Sequence, residues 1–320
     1  MQKATKVWLI VAASVVLVGC IIFAGVMAMF GWNFAKLSTI KYERNTYEIS
    51  EAFDNISMNT GTAEIIFALS DDGKCKVECF EEEKAKHSVT VKEGALVIEV
   101  INNKHWYDYI GINFGSPKIT VYLPKTGYTS LVINGTTGDI EIPKDFAFKD
   151  VAVSLSTGDV DFFASASSAI KIKGSTADIR VENITAGSLD LSVTTGKVTV
   201  SGVTCEGDVT VGVTTGKSYL TDIACKNIIS SGSTGDISLN SVIATEKSMI
   251  KTGTGHVKFD GCDAAEISVE TVTGDVKGSL LTDKVFITET STGKIDVPKT
   301  TTGGICKIKT GTGDIKITVK

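Results

Sequence analysis

The sequence predicts an all-β fold: a parallel β-solenoid (β-helix) of about ten 19–20-residue coils with a β-rich N-terminal head, preceded by one transmembrane helix. Three observations carry this. A Thr-Gly pair returns at a near-constant interval from Thr137 onward, as at Thr157, Thr195, Thr215 and Thr234. Between these pairs apolar and polar residues alternate with period two. Near the start, Val7–Phe30 is a long apolar run without a charge. The implied organisation is a tail over 1–6, a transmembrane helix over 7–30, a tether over 31–46, a β-rich head or cap over 47–127 and solenoid repeats over 128–320.

The apolar run comes first. As a helix it spans about 36 Å, enough to cross a bilayer core with some tilt. "LVGC" at Leu17–Cys20 also fits a bacterial lipobox, so a lipoprotein anchored at Cys20 is the alternative. The apolar residues continue past Cys20 through "IIFAGVMAMF", whereas a lipoprotein normally becomes polar there, which favours an uncleaved anchor. Lys3 and Lys6 precede the span, while Lys36, Lys41 and Arg44 follow it, so basic residues do not set the orientation. A short tail and a long β-rich chain after the span favour placing the C-terminal domain outside the cytoplasm.

The head reads as short strands, "FDNISM", "AEIIFAL", "KCKVECFE", "SVTV", "ALVIEV" and "KITVYLP", with turns at "DDG" and "EG". Gly61, in "NTGTAEI", has the look of a degenerate repeat turn. Cys75 and Cys79 share a strand face but lie about 13 Å apart along it, too far for a disulfide.

The repeat turns are Gly138, Gly158, Gly196, Gly216, Gly235, Gly255, Gly274, Gly293 and Gly313, with Ala177 standing in once. Thr precedes each of them. Just after the turn come apolar pairs in alternation, such as Val160 and Phe162, or Val198 and Val200. Before the turn the same alternation gives Leu189, Leu191 and Val193. A third inward pair follows, for instance Val203 and Cys205 or Ile223 and Cys225. The short strands of a single repeat cannot close a core alone. They suit a coil that stacks on its neighbours at about 4.8 Å. Glycine suits a sharp corner because it tolerates positive φ, so Ala177 implies a strained or differently bent corner. Val198, Val200, Val211 and Val213 are expected to be buried, and Lys197, Thr199 and Lys217 exposed.

"FDNIS", "DGKCKVECFEEE", "GSPKITVYLPK" and the serial "STGDI" units resemble the bacterial putative-adhesin family, domain of unknown function 4097, from Phe53 to the C-terminus. The resemblance implies a membrane-attached envelope protein. It supplies no catalytic residues.

Candidate sites follow from residue types. The residue after each turn forms a ladder in which Asp139, Asp159 and Asp178 are consecutive, the one arrangement that offers a calcium ion several carboxylates. Against it, Lys197 and Lys217 follow directly and no "GGxGxD" spacing is present, so no metal and no other cofactor is expected. Cys205 and Cys225 share a register otherwise held by alanine, which reads as small core residues. "NNKHWYDYIGINFG" gathers His105, Trp106, Tyr107, Tyr109 and Phe114. Buried, these rings would plug the end of the solenoid. Exposed, they would stack on sugars or sit at a headgroup boundary.

Net charge is −5 and no basic stripe is interleaved with aromatics, which argues against nucleic acid. No "HExxH", "GxSxG" or phosphate-binding loop is present, and near-minimal coils leave nothing to build a polysaccharide-cleaving cleft, the remote enzymatic alternative. The expected role is a non-catalytic, membrane-anchored envelope module for display or adhesion, contacting envelope polysaccharide or a membrane protein. An accessory or sensor subunit in envelope-stress signalling is the alternative. Because the repeat runs to Val319, the C-terminal coil is expected to leave an open edge that favours self-association.

Overall fold

The computed structural model describes residues 3–33, 38, 40–109 and 115–320. Helix α1 covers Lys3–Met29. Its apolar stretch Thr5–Met29 has mean hydropathy 2.8, and apart from Met27 its described side chains are exposed. The remainder is a β-solenoid of about ten turns.

Strands β1 (Tyr42–Ile49), β2 (Asn55–Thr62), β3 (Glu64–Leu69), β4 (Cys75–Glu82), β5 (Ala85–Lys92), β6 (Ala95–Asn102) and β7 (Lys118–Leu123) build the head. β8 (Gly127–Thr137) and β9 (Ile140–Ile142) form the first regular coil. The head is only partly a separate structure. β2 runs parallel to β8 and β3 parallel to β9, so β2 and β3 are themselves a coil in register with the rod. β6 and β7 stack in parallel on their outer side. Antiparallel pairing is confined to the edge, where β4 joins β1 and β7, and β5 joins β6.

This register moves the turn assigned to Gly61. Thr62 pairs with Thr137, and the Ala63 amide donates to the Thr137 carbonyl, so the corner is Thr62–Ala63. Ala63 and Ala177 are alike: both are buried, and neither has a positive φ. At Ala177 the methyl group turns inward, and a Cβ on Gly174 would lie 2.6 Å from it. Alanine is therefore accommodated by a different bend and a small residue three positions earlier.

Glycine is required elsewhere for contact as well as conformation. Gly216 has φ 141°, and a Cβ there would fall 1.7 Å from the Gly196 carbonyl oxygen of the coil below. At such a glycine corner the neighbouring coil stands too close for any side chain.

The alternation holds through the rod. Val198, Val200, Val211 and Val213 are buried and Lys197 and Lys217 exposed, as expected, whereas Thr199 is half-buried. Adjacent coils pair in parallel, residue for residue, as Leu191 with Val211 and Val200 with Leu220. Cys205 and Cys225 are buried free thiols. In later coils the inward position three before the corner is threonine. Thr310 Oγ1, for example, donates to the Gly274 carbonyl at 3.0 Å, which satisfies a buried hydroxyl.

The order of coils departs from chain order at the end. Val257–Thr273 pairs with Gly304–Thr312, and Gly304–Thr312 pairs in turn with Lys284–Thr292. Likewise Ile315–Val319 lies on Val276–Leu280, with Ile295–Asp296 on its far side. The coil turning at Gly313 is thus inserted between those of Gly274 and Gly293. The open edge expected at the C-terminus instead belongs chiefly to Lys284–Asp296. The near-constant repeat step is compatible with either order, so periodicity alone does not decide it.

Candidate functional site

Three features are candidate sites: the corner ladder, the aromatic segment and a polar cluster inside the head.

In the ladder, each aspartate side chain serves the coil above it. Asp139 Oδ1 accepts from the Asp159 amide at 2.8 Å, Asp159 Oδ1 from the Asp178 amide at 2.9 Å, and Asp178 Oδ1 from the Lys197 amide at 2.8 Å. Lys197 Nζ lies 3.0 Å from Asp178 Oδ2, placing a cation at the end of the row. Further along, Asp236 accepts from the His256 amide, His256 Nδ1 from the Asp275 amide, and Asp275 from the Asp314 amide. The same device therefore follows the spatial stack even where it leaves chain order. Hydrogen bonding by His256 N–H, with Lys217 beside it, holds the Asp236 carboxyl below its ordinary value. These carboxylates are structural acceptors, and the three aspartates are not brought together as a calcium cage.

Trp106–Tyr109 forms a single 3₁₀ turn between β6 and β7. It is not a plug: Trp106 is 77% exposed, Tyr107 52% and Tyr109 62%. Other rings pack at the core of this region, with Phe53 stacked on Tyr128 at 6.2 Å and Phe67 edge-on to Phe146 at 6.3 Å. His105 stacks on Tyr107 at 5.3 Å, and Trp106 meets Tyr107 edge-on at 5.9 Å. Asp108 fixes the turn by accepting from the His105 amide and pairing with Lys84. Lys104 Nζ sits 5.3 Å from the Tyr109 ring centre. Phe114 lies outside the described residues. The segment flanks the point where the chain enters the head. There the Glu83 amide donates to the Lys41 carbonyl, and Ile40, Lys41, Lys84, Lys104 and Tyr107 line a cleft of about 350 Å³.

A second, larger cleft of about 920 Å³ opens on the side of the head between Glu48–Phe53, Ser70–Lys76 and Tyr122–Tyr128. Its walls mix the rings of Phe53, Tyr122 and Tyr128 with Glu51, Asp71 and Asp72.

The third feature escaped the sequence reading. Cys79 and Glu81 alternate on the inward face of β4, and His87 comes from the neighbouring β5. All three are buried. Glu81 Oε2 accepts from the His87 amide at 2.6 Å and lies 2.7 Å from His87 Nδ1. Glu81 Oε1 accepts from Asn45 Nδ2 at 2.7 Å. Tyr47 Oη donates to the His87 carbonyl at 2.9 Å. Burial, with the Glu81 charge nearby, pushes the Cys79 thiol up to about 12. The signal in the sequence was an inward-phased Glu next to an inward Cys, followed by a His across the hairpin.

Comparison with known proteins places this geometry in a family. The Toastrack DUF4097 family matches over residues 53–213 and again over 206–320. No curated protein matches the chain. Among solved structures, a putative adhesin from Bacteroides fragilis is 17% identical, with TM-score 0.45, covering 87% of this chain and 97% of its own. A putative lipid binding protein from Parabacteroides distasonis is 18% identical, with TM-score 0.48, covering 72% and 94% respectively. A putative adhesin from the same species is 12% identical, with TM-score 0.44, covering 87% and 97%. With the family match running from residue 53 to 320, over most of the head and the whole solenoid, the chain belongs to the Toastrack DUF4097 family.

Proposed function

We propose that this protein is a non-catalytic interaction module of the cell envelope, tethered to a membrane by its N-terminal helix and presenting the solenoid as a contact surface. The observation that carries the reading is the helix: Thr5–Met29 is apolar and, apart from Met27, exposed, so in water it would present a long hydrophobic cylinder. A bilayer removes that cost. The aromatic turn fits the same arrangement. The short segment between Met29 and Tyr42 limits the head to about 45 Å from the helix end. Trp106, Tyr107 and Tyr109, with Lys41 and Lys104 beside them, have the amphipathic character that settles at headgroups.

The test is direct. The protein should remain in membranes through alkaline carbonate extraction, and protease added to intact cells should remove the solenoid while leaving a fragment of helix size. Release by carbonate would overturn the anchoring. Protection of the solenoid in intact cells, with digestion after lysis, would place it in the cytoplasm and overturn the envelope role.

A further inference from the structure

We propose that Cys79, Glu81 and His87 form a structural site for one divalent transition-metal ion, zinc by its donor chemistry, inside the head. The three side chains each offer a ligand atom, and those atoms all lie within 4.8 Å of one another. One thiol, one carboxylate and one imidazole are the donor types that zinc takes from proteins. Calcium is disfavoured because it needs six or more oxygens.

Two further observations point to a ligand. His87 is 4% exposed, and its Nε2 is buried without a hydrogen-bond partner, although a buried ring nitrogen normally has one. Glu81 is fully buried, and neighbouring cations are engaged elsewhere: Lys86 with Glu43 and Lys104 with Glu82. Asn45, the His87 amide and the His87 ring are the groups that face it. If the ring is neutral, the carboxylate is a buried charge with no cation in contact, Lys86 acting on it only from a distance. If the ring is protonated, Nε2–H is a buried donor without an acceptor. Each alternative costs stability.

A divalent ion resolves both. The Cys79 S–H bond breaks, its proton leaves to solvent and a sulfur–metal bond forms, with no change of oxidation state. Thiolate and carboxylate together then balance the 2+ charge. Nε2 ligates, Nδ1 keeps its proton and its hydrogen bond to Glu81 Oε2, and the second carboxylate oxygen or a water completes four-coordination. The site would fasten β4 to β5 at the outer edge of the head, where antiparallel strands rather than stacked coils hold the structure.

The experiment uses the full-length protein in detergent, stripped with a chelator and titrated with Co²⁺ and Zn²⁺. One equivalent of Co²⁺ should produce a near-ultraviolet thiolate-to-cobalt charge-transfer band with visible bands of tetrahedral intensity, and Zn²⁺ should displace it. Cys79→Ser should remove the charge-transfer band, and His87→Gln should weaken Zn²⁺ binding by more than about 100-fold. Cys205→Ser should change neither. Because a head variant can fail to fold, X-ray absorption at the zinc edge of the wild-type protein provides an independent readout. One sulfur with nitrogen or oxygen neighbours supports the site. Absence of stoichiometric binding, a shell without sulfur or with several, or a charge-transfer band that survives Cys79→Ser would overturn it. In those cases the orphaned Nε2 belongs to an ordered water.

Discussion

Asp159 accepts a hydrogen bond from the coil above while its own amide donates to the coil below, so one residue ties three coils together. Replacing it by alanine should lower stability by about 1 kcal/mol, the usual worth of such a bond, whereas Asp159→Asn, which keeps an acceptor oxygen, should cost less than half of that. Thermal melting of the two variants distinguishes this role from a calcium site, where asparagine would fail almost as badly. The corner glycines are a harsher test. Gly216→Ala places a Cβ 1.7 Å from a backbone oxygen and should cost several kcal/mol. Gly212→Ala, whose Cβ would stand 3.9 Å from its nearest neighbour, should be nearly neutral. Equal melting of the two would refute the stacked-corner geometry. The ladder also sets a pH dependence. The folded Asp236 carboxyl lies below its ordinary value of 3.8, so the stability it contributes is present above 3.8 and is lost as pH falls from there toward the depressed folded value. Asp236→Asn should therefore reduce the loss of stability measured between about pH 5 and about pH 3.

The coil as an element was legible because its requirements are local. Thr-Gly at a corner and inward residues at fixed offsets recur whatever the coil packs against, and Val200 or Leu220 is buried where its offset says. Elements whose identity depends on distant partners were not legible. Thr62–Ala63 is a corner only because Thr137 stands beside Thr62, and the nearby Gly61 misdirected the assignment. Cys79 and Glu81 could be placed on one strand face, but His87 joins them only through the β4–β5 hairpin. The aromatic turn was visible as a composition, while its exposure depends on how β6 and β7 leave the sheet. At this scale a polar substitution in the coil interior is decisive. Val200→Asp buries an unpaired charge between Val181 and Leu220 and should destabilise by several kcal/mol. A normal melting temperature would show that the coil faces are assigned wrongly.

Over the whole molecule the two ends of the rod differ. At one end β1 and β4–β7 cover the first coils. At the other, the coil of Gly293 is outermost, leaving Ile287 53% exposed and Ile295 46% exposed. The chain reaches this coil before the one beneath it, so Gly304–Lys320 must enter between strands already contributed by earlier sequence. Lys284 helps hold the arrangement: its buried ammonium lies 2.6 Å from Asp263, and Thr300 donates to its backbone carbonyl. Removing Gly304–Lys320 should therefore do more than shorten the rod by one coil. Lys284–Asp296 would lose its parallel partner, and hydrogen exchange of its amides should rise to the rate of an unstructured chain, together with new exchange at Val257–Leu280. If Lys284–Asp296 simply docked on the Gly274 coil instead, those amides would stay protected and the insertion would not be required. The same asymmetry predicts that any self-association uses this edge. A sheet edge with exposed isoleucines pairs readily with another chain. Ile287→Lys should reduce concentration-dependent association in analytical ultracentrifugation, while a polar extension after Lys320 should leave it unchanged. Inhibition by the extension alone would return the association to the C-terminal strand.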